Sequence, residues 1–108
     1  MTIDEYEKLA MRTKGDYANV REQVICAALG ISGEGGEVAD LVKKVMYQGH
    51  KADHDELVHE CGDLCWYLAL MADAIGVPLE SIFESNIEKL KKRYPKGYSH
   101  EQSFGRKE

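Results

Sequence analysis

Two pairs of carboxylates are the residues of this sequence whose types and spacing could do chemistry. Glu34 and Glu37 form the first pair, and Glu60 and Asp63 form the second. Residues three apart on a helix are neighbours on its surface. At about 100° per residue, each pair falls at the edge of an apolar stripe and not on the opposite, polar face. If the two helices pack antiparallel, the pairs face each other at the rim of the core.

Four carboxylates crowded in this way would repel one another and resist desolvation. A hard divalent cation resolves the conflict, and a ligand set made only of oxygens suits Mg²⁺ or Mn²⁺ better than Zn²⁺. Because magnesium keeps waters and binds substrate phosphates, the pattern predicts phosphoryl chemistry. The alternative is that these residues are ordinary exposed helix acids, since a single E-x-x-E pair means little.

A second polar group lies near the C-terminus. Asn86, Lys89 and Arg93 are spaced i, i+3 and i+7, which places them on one helix face within about 60°. The apolar positions expected to dock this helix on the others are Ile82, Phe83, Ile87, Leu90 and Tyr94. The two cations could serve an anionic substrate. The alternative is a solvated basic helix end, which the helix dipole favours in any case.

Other side chains could assist. Tyr67 lies one turn after Asp63, and its hydroxyl could contact a substrate phosphate or sugar. The alternative for Tyr67 is a half-buried aromatic residue at a helix interface. Asp40 and Lys44 continue the Glu37 face and could also contribute.

The three cysteines are expected to be reduced thiols, because an odd number does not fit a disulfide framework. Cys61 and Cys65 fall on an apolar stripe and are predicted to be buried. A zinc site at this pair, with His54 and His59 nearby, is the alternative, although tetrahedral sites usually show closer ligand pairs.

The elements that must position these residues are helices. Apolar residues at helical spacing predict helices over residues 3–13, 18–47, 55–75 and 79–93. Thr2 and Glu5 form a capping box, and Gly76 fits a helix C-cap. Helices joined by short loops predict an all-α fold, an antiparallel bundle of about four helices. We expect one domain over residues 1–94 and a polar tail over residues 95–108.

The second helix contains a stretch rich in glycine, GISGEGGE over residues 30–37. Each interior glycine costs about 1 kcal/mol relative to alanine. Either the helix breaks and restarts near Ser32, or it continues because another group must approach its backbone closely. The sequence leaves both possibilities open.

Length and composition limit the class of protein. The chain has 108 residues, of which 44% are apolar, and this suits one domain. No apolar run approaches the roughly 18 residues of a membrane span, and the acidic N-terminus shows no signal peptide, so we expect a cytoplasmic protein. Residues 1–88 contain seven Lys and Arg against 17 Asp and Glu, whereas residues 89–108 contain seven against two. Such an acidic body argues against binding of polymeric nucleic acid.

Three segments together resemble the MazG-like nucleotide pyrophosphohydrolases. Residues 33–40 (GEGGEVAD) and 60–68 (ECGDLCWYL) resemble the E-x-x-E … E-x-x-D signature of that family. Residues 86–98 (NIEKLKKRYPKGY) are similar to its Asn-x-x-Lys-Leu-x-x-Arg-Tyr-Pro segment. The glycines at positions 35 and 36 are less typical, because more helix-friendly residues are common there. The resemblance covers roughly residues 6–106.

The resemblance implies an all-α fold, magnesium-dependent cleavage between the α- and β-phosphates of nucleoside triphosphates, and assembly into homodimers or homotetramers. It implies metal ligation by Glu34, Glu37, Glu60 and Asp63 and substrate contacts by Asn86, Lys89 and Arg93. Similar families include all-α dUTPases, dCTP pyrophosphatases and phosphoribosyl-ATP pyrophosphohydrolases, so the resemblance does not define the base.

We therefore predict a Mg²⁺-dependent nucleoside triphosphate pyrophosphohydrolase, with Mn²⁺ as a second cation that fits. Glu37 is the candidate general base among the four carboxylates. We also predict a homo-oligomer, because a small bundle cannot easily cover all the apolar side chains. The predicted partners are the nucleotide and a second copy of the chain, with no membrane and no polymeric nucleic acid. The alternatives are a non-catalytic helical interaction module and a regulatory protein that binds divalent cations.

Overall fold

The computed structural model describes residues 1–105, which are helical apart from the connecting loops. The helices are α1 (Ile3–Met11), α2 (Val20–Tyr47), α3 (His54–Ile75), α4 (Leu79–Arg93) and α5 (His100–Phe104). The predicted all-α class is confirmed. The short α5 lies within the segment expected to be a polar tail, and the last residues of that segment, 106–108, lie outside the described residues.

Local capping determines where the helices begin and end. The Thr2 hydroxyl accepts a hydrogen bond from the Glu5 amide at 3.1 Å, and the Glu5 carboxylate accepts one from the Thr2 amide at 3.3 Å. This confirms the predicted capping box. Asn19 accepts a hydrogen bond from the Glu22 amide at 2.9 Å, so α2 begins at residue 20 and not at 18. Gly76 ends α3 with φ 76°, a conformation that favours glycine.

The α2 and α3 helices form an antiparallel hairpin connected by residues 48–53. Contacts between the start of α2 and the end of α3 show this arrangement. The buried Gln23 amide, near the start of α2, donates to the Leu70 carbonyl at 3.1 Å and to the Asp73 carboxylate at 2.8 Å, near the end of α3. Lys14 forms an ion pair of 2.6 Å with the same carboxylate. The hydrogen bonds from Lys14 and Gln23 lower the pKa of Asp73. This network fixes one end of the hairpin.

The α2 helix continues without a break through its four glycines, which resolves the question that the sequence left open. At Gly30, an added Cβ would overlap the ring of Tyr67 on α3. At Gly33, Gly35 and Gly36, an added Cβ would meet no atom of the described residues within 4 Å, apart from its chain neighbours and the nearby backbone of its own helix. Gly30 is therefore required for the packing of α2 on α3, whereas contacts within the described residues do not explain the other three.

A cluster of buried residues lies where α1, α3 and α4 meet. It consists of Ala10, Ala69, Ala72 and Leu79. Trp66 packs against this core, and its indole N–H donates to the Ala10 carbonyl at 3.0 Å and to the Thr13 hydroxyl at 2.8 Å. The Glu7 carboxylate accepts a hydrogen bond from the Leu79 amide at 3.2 Å and so caps the start of α4. These contacts position α1 and α4 on one side of α3.

The burial of α3 departs from the single apolar stripe that the sequence suggested. Leu70 is fully buried, whereas Ile75, which lies at helical spacing from Cys61 and so is expected on the same stripe, is 53% exposed. The prediction that Cys61 and Cys65 are buried thiols is wrong, because both are exposed. The physical reason is that α3 has neighbours on two sides, α2 on one and α1 with α4 on the other. One stripe cannot describe a helix with two packed faces.

The α4 helix packs on the rest of the chain through its first turns. Leu79 is buried and Ile82 packs on the core, but Phe83, Ile87 and Leu90 are 40%, 50% and 38% exposed. Phe83 still lines a groove with Ile3 and Leu68, so the predicted docking fails within one chain only at the later positions, Ile87 and Leu90. The axis of α4 turns by 101° from that of α3, so the expected antiparallel arrangement holds for α2 and α3 but not for α4. Within residues 1–105 no helix alone is long and apolar enough to cross a membrane, and α3 with α4 meets that test only as a bent pair.

Candidate functional site

Three of the four predicted carboxylates meet between α2 and α3. Glu34 on α2 and Glu60 and Asp63 on α3 each offer one oxygen, and these oxygens all lie within 4.8 Å of one another. Glu34 and Glu60 are half-buried and Asp63 is exposed, so the group is open to solvent on one side. Within residues 1–105, no such three-ligand group includes Cys61 or Cys65.

The packing of the two helices places these carboxylates. Gly30 lies one turn before Glu34, and Tyr67 lies one turn after Asp63. The contact between the Gly30 backbone and the Tyr67 ring therefore holds the helices together beside the carboxylates. Glu60 and Asp63 are neighbours on the surface of α3 because they are three residues apart. The packing of Tyr67 on Gly30 and the three-residue spacing on α3 thus bring carboxylates of two helices close together.

The crowding changes the acidity of Glu34. Desolvation raises the pKa of the Glu34 carboxyl, and a hydrogen bond with Glu60 and the charges of Asp63, Glu60 and Glu37 raise it further. The ionised form of Glu34 is therefore disfavoured unless a positive charge is close. Three converging carboxylate oxygens are donors that suit Mg²⁺ or Mn²⁺. The residues present thus fit a hard divalent cation.

Glu37 lies outside the group of three. It is exposed and lies one turn after Glu34 on α2. The Asp40 carboxylate forms ion pairs with Lys44 at 3.0 Å and with Lys43 at 3.2 Å, and these contacts lower the pKa of Asp40. The charge of Glu37 acts on both Glu34 and Lys44. Glu37 therefore lies between the carboxylate group and the pair of Lys44 with Asp40.

Tyr67 is half-buried beside the carboxylates. Its ring packs on Gly30 and contacts Trp66 edge-to-face, with 5.0 Å between ring centroids and 87° between planes. The hydroxyl of Tyr17 lies 3.7 Å from the Cys26 sulfur. The pKa of Tyr17 is raised by that contact, by burial and by the nearby Tyr67. Tyr17 is thus a neighbour of the site that sequence reasoning missed, because a loop residue has no periodicity to reveal its place.

The polar residues of α4 lie on a different part of the molecule. Asn86 and Lys89 are exposed, and Arg93 is half-buried. Asp63 precedes the end of α3 by 12 residues, which corresponds to about 18 Å of helix. From that end α4 departs at 101°. The α4 helix therefore does not run back along α3 toward the carboxylates of its own chain.

The fold and the carboxylate group define an all-α protein with a site suited to a divalent cation. The sequence matches the MazG nucleotide pyrophosphohydrolase domain over residues 25–98. It is also 31% identical over 106 residues to the Gene 37 protein of Mycobacterium phage L5, with 90% of this chain and 92% of that protein covered. No solved structure matches the chain at a significant level. The chain belongs to the MazG nucleotide pyrophosphohydrolase family, as the resemblance predicted.

Proposed function

We propose that this protein is a Mg²⁺-dependent hydrolase that converts nucleoside triphosphates, including deoxynucleoside triphosphates, to nucleoside monophosphates and pyrophosphate. The observation that supports it most directly is the meeting of Glu34, Glu60 and Asp63 within 4.8 Å, in a chain of the MazG family. A divalent cation bound by these oxygens would polarise the α-phosphate and lower the pKa of the attacking water.

The reaction forms one phosphorus–oxygen bond and breaks another. A water oxygen attacks the α-phosphorus in line with the bond to the bridging oxygen, that bond breaks, and pyrophosphate leaves with the electron pair. Glu37 accepts the proton of the water. We assign this role to Glu37 because it lies next to the carboxylate group but outside it, where its carboxylate is exposed.

The remaining contacts come from Tyr67 and α4. Tyr67 and Asn86 contact the substrate, and Lys89 and Arg93 neutralise the leaving pyrophosphate. Because α4 departs from α3 at 101°, we assign the α4 contacts to a neighbouring subunit of a homodimer or homotetramer. A cytoplasmic location, in which the three cysteines remain free, is part of the same proposal.

Incubation with single nucleoside triphosphates and Mg²⁺, followed by chromatography of the products, tests the proposal. Pyrophosphate together with the matching monophosphate supports it, and addition of EDTA should stop the reaction. Orthophosphate alone would indicate another kind of nucleotidase. Absence of turnover with every nucleotide would favour an interaction module or a cation-binding regulatory protein.

A further inference from the structure

A cavity of about 400 Å³ lies between the end of α2 and the start of α3. Its apolar walls are Leu41, Val42, Val45, Ala52 and Leu57. The volume falls within the roughly 300–1,000 Å³ of pockets that bind small ligands, and such pockets are mostly apolar with a few polar groups. The proposed reaction assigns no role to this cavity.

The cavity adjoins the carboxylate group. Leu41 lies one turn after Glu37, and Glu56, which also lines the cavity, lies one turn before Glu60. At 1.5 Å per residue, the cavity begins about 6 Å from Glu60 along α3 and about 10 Å from Glu34 along α2, with Glu37 between. Lys44 lines the cavity and lies close enough to Glu37 and Glu56 for both charges to act on it. A ligand could therefore extend from the carboxylates into the cavity.

The charged groups of the lining do not suit a polyphosphate. Its charged residues are Lys44, Lys51, Asp53 and Glu56, which balance in sign. The Lys44 ammonium is already paired with Asp40 at 3.0 Å. The Asp53 carboxylate accepts hydrogen bonds from the amides that begin α3. Apolar walls with balanced charge suit an uncharged group better than a pyrophosphate.

Two imidazoles complete the lining, those of His50 and His54. An imidazole can donate and accept hydrogen bonds, and its ring can stack on a nucleobase. Aliphatic walls, stacking rings and hydrogen-bonding groups together are what a base and its sugar require.

We propose that this cavity binds the nucleoside of the substrate while the phosphates lie at Glu34, Glu60 and Asp63. The assignment of the phosphates rests on the function proposed above. Binding of a nucleoside in the cavity can be measured without turnover, so a failure of this proposal is distinguishable from a failure of the proposed function.

The four histidines of the chain provide a binding test with internal controls. His50 and His54 line the cavity, whereas His59 and His100 do not. Titration of the full-length protein with each common deoxynucleoside monophosphate, without added metal, should move the imidazole NMR signals of the first two in a saturable way. The signals of His59 and His100 should stay in place, and inorganic phosphate should move none. No shift with any nucleotide, equal shifts at all four histidines, or the same shifts with phosphate would overturn the proposal.

A matched pair of valines provides the kinetic test. Val42 lines the cavity and is 50% exposed, whereas Val58 is 66% exposed and is not part of the lining. Val42→Trp should raise KM for the preferred nucleoside triphosphate at least tenfold and abolish the histidine shifts, and Val58→Trp should do neither. Val45 lines the same cavity, so Val45→Trp is the test variant if Val42→Trp does not fold. Turnover of methyl triphosphate, which has no nucleoside, should be the same in all variants.

The same substrates separate this proposal from the proposed function. If the wild type releases no pyrophosphate from any triphosphate, the proposed function fails, yet nucleotide-dependent shifts of His50 and His54 would still support the cavity. If Val42→Trp loses methyl triphosphate and nucleotide turnover equally, or neither, the cavity does not bind the nucleoside.

Discussion

At the residue scale, the carboxylates between α2 and α3 are held together against their own repulsion. Burial and neighbouring acids raise the pKa of Glu34, so its ionisation opposes folding when no cation is bound. We expect Glu34→Gln, Glu60→Gln and Asp63→Asn to abolish turnover. The Tm of each metal-free variant, followed by circular dichroism, should equal that of the wild type or exceed it.

Added Mg²⁺ should raise the Tm of the wild type, because a ligand that binds only the native state stabilises it by about 2.7 kcal/mol at 100 times its Kd. The three variants should lose most of this gain. Glu37→Gln should lose turnover but keep most of the gain, because Glu37 lies outside the group. Glu84→Gln, at an exposed position on α4, is the control and should keep both turnover and the gain in Tm with Mg²⁺. A shared loss of metal-free stability would show instead that the acids are structural.

Two glycines of α2 should respond in opposite directions to alanine. At Gly30 an added Cβ would overlap the Tyr67 ring, and such overpacking costs about 1–3 kcal/mol. At Gly36 the space is open within the described residues, so Gly36→Ala should stabilise the helix by about 1 kcal/mol. Urea titrations give both free energies of unfolding. If Gly30→Ala left the free energy of unfolding unchanged, the packing of α2 on α3 would not require glycine at this position.

Helical spacing was sufficient to predict which acids approach one another, because positions three apart on a helix share a face whatever surrounds them. It did not separate Glu37 from the other three acids. That distinction depends on how α2 is rotated against α3. The rotation follows from the contact between Gly30 and Tyr67, two residues far apart in sequence whose pairing no local pattern contains.

At the element scale, the carboxylate of Asp73 joins α3 to the start of α2 and the loop before it. Lys14 and Gln23 hold the pKa of Asp73 below its ordinary 3.8. The stabilisation that ionised Asp73 gives the folded state is therefore fully present above pH 3.8, and it is lost as the pH falls through the lower pKa of the folded state. Asp73→Asn should lower the free energy of unfolding by about 1 kcal/mol at neutral pH, because the side chains are partly exposed.

The difference between wild type and Asp73→Asn should shrink as the pH falls below 3.8, the ordinary pKa of this group. Urea titrations at neutral pH and in acid measure it. Asp16→Asn, an exposed change in the loop before α2, is the control and should show no such dependence. A constant difference across the range would mean that the amide variant disturbs packing and not the ion pair.

The cations of α4 should affect turnover more than folding. Lys89→Ala and Arg93→Ala should lower kcat/KM for a triphosphate at least tenfold, about 1.4 kcal/mol of transition-state stabilisation. Lys89 is exposed, so the stability of Lys89→Ala should change little, since exposed ion pairs are worth about 0–1 kcal/mol. Lys91→Ala and Lys92→Ala are the controls and should lose less. Steady-state kinetics would contradict the assignment if all four changes were equally small.

A mixing experiment tests whether α4 acts on a neighbour. Glu60→Gln inactivates the carboxylate group, and Arg93→Ala weakens the contribution of α4. A mixed oligomer would contain at least one site with both parts intact if α4 crosses between subunits. Mixing the two variants should therefore restore part of the turnover, and no recovery after exchange of subunits would assign α4 to the site of its own chain.

Helix ends were predictable to within about two residues because caps are local. The capping box at Thr2 and the left-handed Gly76 needed no knowledge of the fold. The faces of α3 and the exposure of Ile87 on α4 were not predictable, since both depend on which helices lie beside them. A helical wheel with one apolar stripe assumes one packed face. The α3 helix packs on α2 and also on α1 and α4, and the second half of α4 has exposed apolar positions within the chain.

At the scale of the whole molecule, the isolated chain exposes more surface than its mass requires. Its radius of gyration is 17.0 Å, compared with about 13 Å for a compact chain of this length. Its accessible area is 8240 Å², whereas a compact monomer of this mass exposes about 6,100 Å². The excess of roughly 2,000 Å² is more than one partner loses in a standard-size interface, about 800 Å². The exposed surface includes large apolar side chains, among them Met46, Ile87 and Leu90.

We therefore expect the protein to be a homo-oligomer whose folding depends on association. Light scattering at micromolar concentration should give at least twice the 12.2 kDa of one chain. The Tm should fall on dilution, because subunits that bind only in the native state stabilise it by mass action. Ile87→Gln combined with Leu90→Gln should lower the mass and the Tm together, because it makes polar an α4 stripe that is exposed within the chain. Ser85→Gln, an exposed change outside that stripe, should leave both unchanged. A monomeric mass for the wild type, with a Tm independent of concentration, would require one chain to keep this apolar surface in water and to complete its site alone.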